Sequence, residues 1–487
     1  MPIPSIADYS TAIDGRLLAA RSARFVHANI RLIAGGLLIP NLLSLATMIS
    51  LIDIGLPPRT EAILFYACVA MLARRLPFVI IVPLFLTVLS FDIVRTLSLM
   101  FSVAPVEFLE AIDRAQRIQF FASPLYVALI VTIAATTVAA LVCLSRRSAL
   151  TNASAPAFFV LALGVAAIDF IGNVSPHYHF GATIGFEQPV QSAAEASGFK
   201  QTAGAEGRNV VLVMVESLGY LRDPAARQRI AAPLYDPALT RDYAVTSGQT
   251  VYYGSTTSGE MRELCDTRSF YKDFVQHDTD ACLPNLMARR GYSTVAVHGF
   301  SGGMFEREHW YPTIGFDRSL FGEKLLKATG RECGAAFRGV CDADFAPLIA
   351  AASRDADAGG KPRFIYWLTL TSHVPIAPNA ARTDFHCGDD SGSFGHLDVC
   401  RMAELWHDVF EGVAQLAHDP ALGQPEILMV GDHGPPLWSK RGRAQFEPGK
   451  VAWYRLQPRK RSEARLERAG NKATATSVAV TTRDRLD

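Results

Sequence analysis

The chain has 487 residues, with 47 Lys and Arg set against 46 Asp and Glu, for a formal net charge of +1. That balance excludes a protein that holds nucleic acid or an acidic partner by bulk charge, and the length allows two or three domains. Hydrophobic residues make up 49% of the whole, concentrated in residues 28–173, whereas residues 200–455 read like an ordinary globular domain.

In chain order, five apolar stretches come first: Ile30–Ile52, Glu61–Ala73, Leu76–Leu99, Phe121–Leu144 and Pro156–Phe170. A membrane span needs roughly 20 mostly apolar residues, so residues 1–173 are expected to form an all-α bundle of about five transmembrane helices. The second stretch is short, and a re-entrant or buried helix is its alternative. Arg16, Arg21 and Arg24 precede the first stretch with Arg31 at its very start, Arg74 and Arg75 follow the second, and Arg146 and Arg147 follow the fourth. With five spans all three clusters fall on the cytoplasmic side. The rest of the chain then lies outside, as the periplasmic or extracellular domain of a multi-pass plasma-membrane (inner-membrane) protein.

Residues 174–207, rich in Gly, Ala, Ser and Gln, are expected to be a linker. Residues 208–456 alternate apolar runs with amphipathic stretches, the pattern of an α/β fold with a mainly parallel sheet flanked by helices. Four runs read as strands, Asn209–Val215, Ser293–Val297, Arg363–Leu370 and Glu426–Val430, and their unbroken apolarity implies burial on both faces. Helices are expected over Leu283–Arg290, over Asp344–Ala352 and along Leu405, Val409, Val413 and Leu416, which share one face. "VAWYRL", Val451–Leu456, reads as a last strand, and residues 457–487 as a disordered tail. Six cysteines lie in this domain: Cys265, Cys282, Cys333, Cys341, Cys387 and Cys400. Their even number suits three disulfides. Sequential pairing is the simplest of fifteen connectivities, and metal ligation or free thiols is the alternative.

Each strand-like run delivers polar groups where it stops: Glu216, His298, His373, and Asp432 with His433. Ligands of open α/β sheets bind beyond the carboxyl ends of the strands, and Glu, Asp and His are ligand types for one divalent cation. Oxygen-rich ligation with an imidazole suits Mn, Mg or Zn. Taken singly, each residue also has a structural explanation, as a helix cap, a turn or a satisfied core imidazole. The stretch "YYGSTTSGEMRELC" reads as a strand ending at Tyr253, a turn at Gly254–Ser255 and a helix start. Thr257 and Glu260 have capping-box spacing, which leaves Thr256 free beside the positive end of the helix dipole. Glu260 and Glu263 are expected to be cap and helix surface. The other histidines, His277, His309, His386, His396, His407 and His418, are expected to be structural.

The ordered set "NVVLVMVESLG", "GSTTSGE", "VHGFSGGMFEREHWYPTIGFD", "TLTSHVP" and "VGDHG" resembles the sulfatase-like branch of the alkaline phosphatase superfamily. Within it, the set is similar to membrane-anchored lipoteichoic acid synthases and, more distantly, to phosphoethanolamine transferases. The resemblance covers about residues 209–434. It implies that Glu216, Asp432, His433 and the Thr256 hydroxyl bind the metal, that Thr256 is the nucleophile, and that His373 contacts the substrate phosphate. It also implies that His298 and Arg307 line a headgroup pocket, in which Phe305 stands where a tryptophan is usual. True sulfatases carry C/S-x-P-x-R; "CLPNL", Cys282–Leu286, lacks the Arg. The expected activity is therefore transfer of a phospholipid headgroup, phosphoglycerol or phosphoethanolamine, through a phosphothreonine to a cell-surface glycan or lipid-linked acceptor. A membrane-bound phosphodiesterase or sulfatase, and a non-catalytic receptor, are the alternatives.

Overall fold

The computed structural model describes residues 29–48, 53–106, 108, 118–146, 155–173, 189–204, 206–276, 279–354, 360–388 and 394–459. Two compact units emerge: Met1–Leu97 with Pro124–Ser175, and Ser98–Ser123 with Pro176–Asp487.

The first unit is helical. Three of its helices are long and apolar enough to cross a membrane: Phe78–Phe101 (α3), Pro124–Ser145 (α4) and Ala155–Asn173 (α5). The first expected span is instead two short helices, Asn29–Leu38 and Leu42–Met48 (α1), among its described residues. Pro40 stands at the break, where it can neither donate to the helical ladder nor avoid the preceding turn. Residues 49–52 lie outside the described residues, as do Arg16, Arg21, Arg24 and Arg147 of the basic clusters. The second expected span is the 13-residue helix Thr60–Leu72 (α2), shorter than the roughly 20 residues a span needs. Two groups of polar side chains buried here are mutually bonded, as apolar surroundings favour. Arg59 pairs with Asp92, and Asp169 accepts from Ser44, Asn173 and the Arg59 amide.

The second unit is built on an eight-stranded sheet. In chain order the strands are β1 (Val210–Val215), β2 (Gly219–Leu221), β3 (Tyr243–Val251), β4 (Ser293–His298), β5 (Arg318–Leu320), β8 (Arg363–Leu368), β9 (Glu426–Gly431) and β10 (Phe446–Pro458); β6 (Glu332–Cys333) and β7 (Gly339–Val340) form a separate ribbon. The sheet order is β2-β10-β9-β1-β8-β4-β5, with β3 pairing β10. β9, β1, β8, β4 and β5 run parallel, and β10 is antiparallel to its neighbours.

Every residue of β1 is buried, and its alternation divides the side chains between two helical layers. Val211, Val213 and Val215 meet Met402, Trp406 and Val409 of helix Leu397–His418 (α8). On the other face Val210, Leu212 and Met214 meet Met261 and Leu264 of helix Thr256–Cys265 (α6) and Met287 of helix Leu283–Arg289 (α7). Each such side chain contributes about 1.5–3 kcal/mol on burial.

The expected linker ends in ordered structure. Ala193, Ala194 and Phe199 are buried in the second layer, because this stretch carries an aromatic and small apolar residues rather than a purely polar run. β10 continues to Pro458, two residues beyond the expected end of the domain, and the tail from 460 lies outside the described residues. The disulfides are Cys265–Cys282, Cys333–Cys341 and Cys387–Cys400, the sequential pairing.

Candidate functional site

β1 pairs with β8 and β9 in a register that aligns Met214 with both Leu368 and Val430. The residues that follow these strands, Glu216, Thr369 to His373, and Asp432 with His433, therefore emerge side by side at one edge of the sheet.

Glu216 is held by its backbone. Its amide donates to Thr369 Oγ1 at 2.8 Å, and its carbonyl accepts from Ser372 Oγ at 2.7 Å and Trp406 Nε1 at 3.1 Å. Ser217 adopts φ 58°, a left-handed conformation that costs a non-glycine residue about 1–2 kcal/mol. In that conformation it touches both carboxylates: Oγ donates to Glu216 Oε1 at 2.7 Å and the amide donates to Asp432 Oδ1 at 2.7 Å. Arg262, wholly buried, donates to the carbonyls of Gly431 at 2.7 Å and Asp432 at 3.0 Å, which fixes the end of β9. Gly259 lets α6 approach, since a Cβ there would stand 2.9 Å from Asp432.

The His433 Nδ1 faces the Gly434 carbonyl at 2.9 Å. A carbonyl only accepts, so the proton sits on Nδ1 and the Nε2 lone pair is free. Nε2 lies 3.4 Å from Asp432 Oδ2, 3.7 Å from Glu216 Oε1 and 3.4 Å from Thr256 Oγ1. Thr256 Oγ1 is also 3.4 Å from Glu216 Oε2. The ligand atoms of Glu216, Asp432 and His433 all fall within 4.8 Å of one another. Asp432 Oδ2 is buried and has no hydrogen-bond partner, an arrangement that is costly unless a cation or a proton completes it. The donor set thus fits a divalent cation. Burial and the Glu216 charge push the Asp432 carboxyl up to about 7. For His433 burial acts downward, and the Asp432 and Glu216 charges outweigh it, so its pKa is raised.

Thr256 is the first residue of α6 and half-buried, after Gly254 at φ 69°. The expected capping box is absent: Ser255 is the N-cap and makes no side-chain capping bond, while Glu260 turns away from the helix start. Glu260 is fully buried and accepts from Arg307 Nη2 at 2.9 Å and from the Tyr311 and Tyr366 hydroxyls. Glu263 is buried too, bonded to Arg262 and to the amides of Ala193 and Ala194. Neither is helix surface, because α6 lies between the sheet and neighbouring elements with hardly a solvent face.

His298, Arg307 and Phe305, expected to line a headgroup pocket, form a second cluster. Arg307 is buried with its charge spent on Glu260, and Phe305 lies beneath its guanidinium, 5.3 Å from centroid to Cζ. His298 is buried, its Nδ1 on the Leu368 carbonyl at 3.0 Å; burial, then the Arg307 charge, pulls it down to about 3. His373 stands apart from both clusters in its direct bonds. Its Nδ1 faces the Val374 carbonyl at 2.7 Å, and burial pulls it down to about 4. It is therefore a neutral ring with a bare Nε2.

A family model described as Sulfatase matches residues 208–457, over half of the chain. No curated protein matches the chain in sequence. Among solved structures it is similar to the lipoteichoic acid synthase LtaP from Listeria monocytogenes, with 16% identity and a TM-score of 0.40 over 53% of this chain and 67% of that one. The Streptococcus pyogenes phosphoglycerol transferase GacH, in complex with sn-glycerol-1-phosphate, matches with 15% identity and a TM-score of 0.37 over 53% of this chain and 71% of that one. The C-terminal periplasmic domain of EcEptC from Escherichia coli matches with 17% identity and a TM-score of 0.35 over 53% and 74%. The family match begins just before β1, reaches into the end of β10 and takes in every strand-end residue described above: the chain belongs to the sulfatase family.

Proposed function

We propose that the chain is a membrane-anchored, metal-dependent phosphotransferase. It moves a phospholipid headgroup, phosphoglycerol or phosphoethanolamine, onto a cell-surface glycan or lipid-linked acceptor through a phosphothreonine at Thr256. The observation that carries this reading is the Thr256 hydroxyl, 3.4 Å from both Glu216 and His433. Cys282, the cysteine of "CLPNL", is committed to Cys265, which disfavours sulfate-ester cleavage by a modified cysteine.

Glu216, Asp432, His433 and the Thr256 hydroxyl would hold the cation, Mn, Mg or Zn. When bound, it supplies positive charge that acidifies an alcohol and draws density from phosphate oxygens. Thr256 Oγ1 attacks the phosphorus of the headgroup ester, and the bond to the diacylglycerol oxygen breaks. Thr256 gives up a proton and diacylglycerol gains one. In the second half the acceptor hydroxyl displaces Thr256, which recovers its proton.

His373 is suited to take the acceptor's proton, since its free nitrogen accepts and its ring is neutral at pH 7. It does not serve as a standing positive charge, and Arg307 is already neutralised by Glu260. The amides in the first turn of α6, at the positive end of its dipole, are the chain's own contribution to the phosphate charge.

A diacyl lipid scarcely leaves the bilayer, at about 0.8 kcal/mol per buried CH₂, so a lipid donor gives the three long apolar helices a purpose. The three disulfides favour an oxidising compartment, hence a periplasmic or extracellular catalytic domain. The test is mass spectrometry of the intact Thr256-containing peptide after the full chain meets Mn²⁺ and mixed phosphatidylglycerol–phosphatidylethanolamine vesicles. A phosphoglycerol or phosphoethanolamine adduct on Thr256 is expected. No adduct in the wild type, with transfer intact in Thr256→Ala, would overturn the assignment.

A further inference from the structure

The mechanism leaves unexplained what orients His373. Its own nitrogen bond goes to the adjacent residue's carbonyl, and its amide to Leu370. The ring itself packs on Phe337, with centroids 3.8 Å apart. Phe337 lies in the turn between β6 and β7, a ribbon closed at its base by Cys333–Cys341.

The residue after that disulfide, Asp342, is 3% exposed. Its carboxylate accepts from the Leu370 amide at 2.9 Å and the Thr371 amide at 2.6 Å, and its own amide donates to Thr371 Oγ1 at 3.0 Å. The ribbon therefore grips the His373 loop twice, at the ring through its tip and at the backbone through its base. The ribbon is itself fixed: the Val340 amide donates to Gly299 at 3.0 Å, and a Cβ at Gly339 would stand 2.3 Å from that same carbonyl oxygen. At its tip Ala336 accepts from the amide of Gln119 at 2.9 Å, and Phe337 shares an apolar cluster with Ile118. Both residues belong to the segment that joins α3 to α4.

We propose that the Cys333–Asp342 ribbon is a positioning arm for His373, with Phe337 setting the plane of the imidazole and Asp342 setting its distance from the acceptor. Ile118 and Gln119 steady the arm, so the segment between two membrane-crossing helices takes part in the geometry of the proton transfer. The inference rests on the reading of His373 as the residue that takes the acceptor's proton. Phe337 and Asp342 act through His373 and touch no reacting atom.

A double-mutant cycle on the full chain tests it, with the rate taken as steady-state transfer of the headgroup from phosphatidylglycerol–phosphatidylethanolamine vesicles to added glycerol as acceptor alcohol in Mn²⁺, and KM as that of the glycerol. Phe337→Ala is expected to lower kcat about 10- to 100-fold with little change in KM, as misplacement of a reacting group does. Phe337→Tyr, which keeps the ring, restores most of the rate. Phe337→Ala added to His373→Ala costs little more than His373→Ala alone. Calorimetric Mn²⁺ affinity stays at the wild-type value in all of these variants, which separates misplacement from misfolding. Should Phe337→Ala fail to fold, Phe337→Leu and Asp342→Asn carry the same cycle. Full additivity, or a wild-type rate in the Phe337 and Asp342 variants beside an impaired His373→Ala, would overturn the arm alone. A wild-type rate in His373→Ala would instead remove the reading beneath it.

Discussion

Ser217 ties together the two carboxylates of the Glu216–Asp432–His433 cluster. It bonds both carboxylates from one strained backbone position. Ser217→Ala keeps the strain and loses the bond to Glu216, and a loss of 10- to 100-fold in Mn²⁺ affinity is expected by calorimetry, as for other residues that orient ligands. The Asp432 carboxyl carries its own pH signature. Its pKa in the folded chain is raised to about 7, so a proton competes with the cation below that value. Mn²⁺ affinity should rise as pH increases from 5 to 7, with proton release that shrinks toward pH 8; a flat profile would contradict it. The convergence of Glu216, Asp432 and His433 was legible in the sequence, because carboxylates and an imidazole closing buried strands have few structural uses, whereas His298 and His373, read the same way, bond elsewhere and the capping box that set Thr256 apart is absent. Ser217 was not legible, since nothing in "VESLG" signals a left-handed serine whose partner lies 215 positions away.

At the scale of elements, helix α6 shows where spacing misleads. "TTSGE" has the pattern of a capping box, yet Glu260 is drawn to Arg307, Tyr311 and Tyr366 on the buried side. A charged hydrogen bond in a dry interior outweighs a cap worth about 1 kcal/mol. Glu260→Ala leaves the Arg307 charge unpaired and should cost about 3–5 kcal/mol in chemical denaturation. The double change Glu260→Gln with Arg307→Met should recover part of that loss, and equal destabilisation by both would argue against the pair. The central strands were legible because both their faces are apolar. β2, β5 and the β6–β7 ribbon were not, being two or three residues long, too short for any period to show. The first apolar stretch read as one helix because composition does not register what Pro40 does to the hydrogen-bond ladder.

Across the whole molecule, two buried histidines weaken the fold as pH falls, against the buried Asp432 and Asp342 carboxyls, which are raised to about 7 and about 6 and act the other way. His298 is 4% exposed and its pKa in the folded chain is depressed to about 3. The unfolded chain takes up that proton near 6.5 and the folded chain does not, so the contribution is complete above pH 6.5 and is lost as pH falls. Between pH 7 and pH 5 this amounts to about 2 kcal/mol, and His373, lowered to about 4, acts in the same direction. His298→Phe should flatten the acid side of a stability–pH curve measured in urea, and an unchanged slope would show that other groups govern it. The division into an apolar helical unit and an α/β unit was legible from composition alone. That Ser98–Ser123 belongs with the sheet unit was not, since its partners are hundreds of residues distant.

The order of strands in the sheet has one more consequence. β1 and β9 are neighbours, yet more than two hundred residues of chain separate them, and β9 is in turn flanked by β10. A nascent chain emerging from a ribosome or a translocon presents Glu216 and Thr256 long before Asp432 and His433 exist. On the proposed mechanism, incomplete copies therefore carry a threonine with nothing to awaken it, and reactivity toward lipid is withheld until nearly the whole domain has been made.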